Sequence, residues 1–179
     1  MTYEKYNRES VLLNVENLIA EMEEEKEKRI KNTEEKYKNC STWYKRQRIN
    51  EAKRMRTLIR PVCLKLSIFD WWIDYISLSQ LKQMKNFLIT AGKLGFNGYV
   101  CFKVGSVGCS HGMWAYKKES TDGYSPDGEC LHHSFVSNEN YWDYRNENEK
   151  WMGDDDRNEH GRRNRYKFTL KEVKQELAI

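Results

Sequence analysis

The chain has 179 residues, enough for one domain of modest size, and only 39% of them are hydrophobic, which leaves a single small core. Charged residues make up 32%, yet 31 Lys+Arg against 27 Asp+Glu net only +4, so total charge does not mark a nucleic-acid binder. An aromatic share of 13% argues against full disorder, and no apolar run approaches the roughly 18 residues of a membrane span. The acidic start MTYEKYNRESVLLNVE lacks the apolar stretch of a signal peptide, so the expectation is a soluble protein of a host cell's cytoplasm with no membrane partner. Cys40, Cys63, Cys101, Cys109 and Cys130 are odd in number and irregularly spaced, and reduced thiols are expected.

Residues 1–60 read as a charged helical arm. From about residue 8 to residue 60 there is neither Gly nor Pro, and Pro61 supplies a stop. Val11, Leu12, Val15, Leu18, Ile19 and Met22 recur at three- and four-residue steps, a stripe to be buried, after which the helix is expected to be solvent-exposed. Asn39, Cys40, Ser41 and Thr42 break the pattern, with Ser41 or Thr42 as the cap of a second helix. Two arrangements fit the periodicity equally, a helical hairpin and one long, coiled-coil-like arm that pairs with a second copy.

Residues 61–137 read as an α+β core. Val62, Leu64, Leu66 and Ile68 alternate as a strand, and Phe69, Trp71, Trp72, Ile73, Tyr75 and Ile76 add the densest apolar cluster. A helix over 79–93 carries Leu81, Met84, Leu88 and Ala91 on one face and is expected to end at Gly92 or Gly95. Strands are expected at 98–104, 113–118 and 130–136. The fold expected is therefore α+β: a long N-terminal helical arm followed by a small antiparallel sheet packed on a helix. Residues 138–179 read as a polar aromatic segment, then a charged loop, then a short helix opened by the capping box Thr169 and Glu172.

Several constellations offer chemistry. Cys101, Cys109, His111, Cys130, His132 and His133 are the right types for Zn²⁺, with Cys109, His111, Cys130 and His132 the set that a hairpin could converge. Their spacing lacks the repeated short pairs of structural zinc sites, and ordinary buried thiols and strand histidines are the plainer reading. A Cys109 nucleophile paired with His111 or His132 needs a lowered thiol pKa that a sequence does not reveal. Asp154, Asp155, Asp156, Glu159 and His160 suit Mg²⁺ in a nuclease-like site, but a consecutive run fits a solvated loop better than a rigid catalytic set. No catalytic residue and no cofactor is assigned.

Charge distribution gives the leading candidate. Residues 16–35 carry eight Glu against four basic residues, net −4, and residues 41–60 carry seven basic residues against Glu51, net +6. Trp43, Lys45, Arg46, Arg48, Lys53, Arg54 and Arg56 are the expected partner- or nucleic-acid-binding residues, the charges for phosphate and the indole for stacking or anchoring. The competing expectation is that these arginines pair with the acidic residues 21–35 across a hairpin.

A long charged arm, a compact Trp-rich α+β body, scarce alanine and no enzyme motif together resemble the small accessory proteins of phages and mobile elements. In texture the chain is similar to anti-CRISPR proteins, which inhibit Cas nucleases by binding. The resemblance covers general character over the whole chain and carries over no site residue. It implies a non-enzymatic inhibitor of a nucleic-acid-processing protein such as a Cas nuclease complex. Direct DNA or RNA binding is the alternative, and a zinc- or magnesium-dependent nuclease-like enzyme a further one.

Overall fold

The computed structural model describes residues 7–54, 78–103, 112–120, 124–134, 141–153 and 168–179. The strand expected at 62–68, the aromatic cluster after it, the glycine-rich turn at 105–111 and the acidic loop from 154 lie outside these residues.

Helix α1 runs from Arg8 to Lys36, about 43 Å at 1.5 Å per residue. The Asn7 side chain caps it by accepting from the Ser10 amide at 2.9 Å. Its buried residues are Val11, Val15, Ile19 and Met22, the expected stripe, and beyond Met22 no residue of α1 is fully buried. The stripe packs on α3 (Leu78–Lys93), which buries Leu81, Met84, Phe87, Leu88 and Ala91 in the same core. The two helices run antiparallel. Lys85 pairs with Glu16 at 2.9 Å and Lys82 with Glu23 at 2.6 Å, while the Arg8 guanidinium lies over Gly92 at the other end of α3.

Of the two glycines expected to end α3, Gly95 does so. It takes φ +86°, and the Phe96 amide reaches back to the Ala91 carbonyl at 2.9 Å, closing the last turn. Gly92 stays helical, where an added Cβ would meet the Arg8 guanidinium at 2.8 Å.

The sheet is an antiparallel meander in the order β1 (Val100–Lys103), β2 (Gly112–Tyr116), β3 (Cys130–Ser134) and β4 (Trp142–Arg145). One face carries Val100, Phe102, Met113, Ala115, Leu131 and Tyr144 into the core shared with α1 and α3. The fold is thus α+β, with a long N-terminal helix and the sheet packed on helices. The α4 helix (Leu170–Glu176) starts with the expected capping box and buries Val173 in that core. Strand β4 is a departure from the sequence expectation, which placed no strand after residue 137. Its residues pair with β3 from Cys130↔Arg145 to His133↔Trp142, and that pairing rather than local apolar alternation makes it a strand.

The hairpin is the arrangement adopted by the arm. Helix α2 (Thr42–Arg54) folds back on the distal half of α1: the Arg29 guanidinium donates to the Ala52 carbonyl at 3.1 Å, and the Tyr37 and Tyr44 rings meet edge to face at 5.7 Å. Ser41 is the cap, its hydroxyl accepting from the Tyr44 amide at 3.4 Å. No helix among the described residues is long and apolar enough to cross a membrane.

Candidate functional site

The outward face of α2 follows from its helical spacing. Trp43, Arg46, Gln47, Asn50, Lys53 and Arg54 fall at i, i+3, i+4, i+7, i+10 and i+11, one stripe about 16 Å long. The opposite face meets α1 through buried Ala52 and half-buried Ile49 and Arg48. The indole of Trp43 is 69% exposed. Arg46, Lys53 and Arg54 are exposed and Lys45 is half-buried, and none of the four makes an ion pair among the described residues. Arg48 is the exception in the predicted set. Its Nη1 donates to Glu51 at 2.7 Å, and its guanidinium lies 4.9 Å from the Tyr44 ring centre. Arg56 lies outside the described residues.

Pairing of the α2 arginines with the acidic residues of α1 is not found among the described residues. Glu16 and Glu23 are instead matched by Lys85 and Lys82 of α3, and Glu24 by Lys28 within α1. The Lys82 hydrogen bond and charge hold the Glu23 carboxyl below its ordinary pKa. These α3 lysines are some sixty residues away in sequence, so a charge count along the arm alone does not find them. At the tip, Lys36 lies 5.5 Å from the Tyr37 ring centre, and Lys38 pairs with Glu35. From Lys36 to Arg48 there are five basic residues, three aromatic rings and no acidic residue.

Of the second constellation, Cys101, Cys130 and His132 lie on the sheet face turned away from α3. Cross-strand register places Cys101, Trp114, His132 and Asp143 in one row across all four strands. Tyr116, Cys130 and Arg145 form the neighbouring row. The face is covered: Arg145 holds the 124–129 loop over it by donating to the Gly128 and Pro126 carbonyls, and Cys101 Sγ lies 3.8 Å from Ser125 Oγ. Burial pushes the Cys130 thiol up to about 12, so it is protonated at neutral pH and is not a nucleophile there. His132 is stacked on Trp114 at 4.3 Å and edged by Tyr141 and Trp151.

His133 points the other way, stacked on Trp142 at 4.3 Å with Phe87 beyond, and burial lowers its pKa to about 4. Its Nδ1 lies 3.0 Å from the Tyr141 carbonyl, the geometry of a neutral imidazole donating to oxygen. His132 and His133 therefore face opposite sides of the sheet, and only His132 shares a face with Cys130. Among the described residues no three His, Cys, Asp or Glu side chains meet as a metal group; Cys109, His111 and the residues Asp154–His160 lie outside them. Among the described residues, Cys40, Cys101 and Cys130 form no disulfide. Comparison with known proteins finds no match to a family model, to a curated protein or to a solved structure.

Proposed function

We propose that this chain is a non-enzymatic binding protein that docks its α1–α2 hairpin on nucleic-acid-processing machinery, a nuclease or its nucleoprotein complex, as an anti-CRISPR-like inhibitor does. One observation carries the reading: Arg46, Lys53 and Arg54 stand outward, and none of them pairs with an acid of α1 among the described residues. The hairpin thus presents a basic stripe on α2 beside the exposed glutamates of α1. Such a pair of surfaces complements phosphate on one side and a basic protein groove on the other. The exposed indole at the head of the stripe favours a second reading, direct contact with DNA or RNA.

Capture of the tagged protein's target from cells, with and without nuclease treatment, tests the docking reading. The triple variant Arg46→Glu, Lys53→Glu, Arg54→Glu should keep the wild-type circular dichroism and lose capture of a nucleic-acid-processing protein by about tenfold or more. Equal capture by the variant at physiological salt, or a target unconnected with nucleic acid, would overturn it.

A further inference from the structure

Resting on the reading of the hairpin as the docking surface, we infer that the outer stripe of α2 binds single-stranded nucleic acid, with Trp43 as the platform on which an unpaired base stacks. Trp43 is 69% exposed in the first turn of α2, where the helix leaves the tip. Its neighbours on the same face are Arg46 and Gln47, followed by Asn50, Lys53 and Arg54, with no acidic side chain in the stripe. An indole gains most from a partner that offers a flat ring. In a duplex the ring faces are already occupied by stacking and only edges and phosphates are presented, whereas each base of a single strand has a free face.

The rest of the stripe suits the same strand. Arg46, Lys53 and Arg54 supply three cations in line with the ring, free of ion pairs among the described residues, to follow the phosphates. Gln47 and Asn50 carry amides that both donate and accept, the complement of the base edges a single strand exposes. At the tip, Lys38 is held by a surface pair with Glu35. Such a pair is weak enough in water for a phosphate to displace the carboxylate. The Tyr37 and Tyr44 rings meet where α2 turns back on α1, at the end of the stripe that carries Trp43.

The test uses the full chain and fluorescent thymidine or uridine homo-oligonucleotides of about 16 nucleotides, against a duplex of equal length. Binding should favour the single strands, and its logarithm should fall with the logarithm of salt with a slope of about −2, as three neutralised phosphates require. Trp43→Ala should weaken single-strand binding by about tenfold to a hundredfold, and Trp43→Phe should restore part of the loss. Both variants alter an exposed side chain, so circular dichroism and Tm should match wild type. Duplex binding as tight as single-strand binding, or an unchanged affinity for Trp43→Ala, would overturn the inference. Capture of a nuclease from nuclease-treated lysate by a chain that binds neither nucleic acid would also overturn it, while leaving the docking reading intact.

Discussion

Gly98 marks the place where three parts of the chain meet most closely. Its amide donates to the Tyr116 carbonyl at 2.8 Å, its carbonyl accepts from Arg8 at 3.1 Å, and a Cβ added there would lie 2.1 Å from the Lys118 carbonyl oxygen. That neighbour is backbone just past the end of β2, hydrogen-bonded to the Tyr99 amide, and does not swing away. Gly98→Ala should therefore cost more than about 1 kcal/mol in urea unfolding. His133 gives a pH-dependent counterpart. Buried and stacked on Trp142 with Phe87 alongside, it stays neutral in the folded state down to about pH 4, whereas unfolded it takes a proton near its ordinary 6.5. The unfolded chain thus binds more protons between those values. The contribution is full above pH 6.5 and is lost as pH falls toward 4, up to about 3 kcal/mol. His133→Phe keeps an aromatic ring in the stack, and chemical unfolding from pH 7 to pH 4 should show a shallower loss of stability in the variant than in wild type.

At the scale of elements, Ala52 distinguishes a hairpin from a straight arm. It is 4% exposed against α1, and its carbonyl accepts from Arg29. On an extended, solvated helix Ala52→Leu is nearly neutral; packed against α1 it overfills the contact and should cost about 1–3 kcal/mol. Amide exchange should localise the loss to residues 42–54 and leave the sheet protected. The break at 39–42 and the Ser41 cap were legible because capping is a local hydrogen bond. The fold-back was not, since it depends on Tyr37 meeting Tyr44 and Arg29 reaching residue 52, contacts that no periodicity encodes. Strand β4 escaped for the same kind of reason. Trp142 and Tyr144 among Asn and Glu look polar along the chain, and only β3 beside them supplies the ladder. The four helices and strands β1, β2 and β3 were legible, because stripe, glycine stop, cap and apolar strand runs each act within a few residues.

At the scale of the molecule, the first half of α1 is a core helix and the second half, with α2 folded on it, is a charged projection. The body holds the near end. Asn7 bridges to Tyr99, Arg8 donates to the Asn97 side chain at 2.7 Å, and the stripe Val11, Val15, Ile19 and Met22 is buried in the core, with the Glu16 and Glu23 pairs to α3 beside it. This anchoring gives the outer stripe of α2 a defined direction, which a docking surface needs if it is not to lose affinity to ordering. The candidate site was accordingly half legible. Trp43, Arg46, Lys53 and Arg54 could be named from the charge map, and Gln47 and Asn50 could have been added by counting along the same face. The sequence by itself determined the α+β class, the buried stripe of α1, the helix caps and the segregation of acidic from basic residues. Those depend on local hydrogen bonds and on hydrophobic or charge spacing within one element. Only the tertiary structure decided that the arm folds back, that β4 completes the sheet, that His132 and His133 face opposite sides of it, and that Glu16 and Glu23 of α1 pair with lysines of α3. Each of those rests on contacts between residues distant in the chain, which are fixed only when the elements pack.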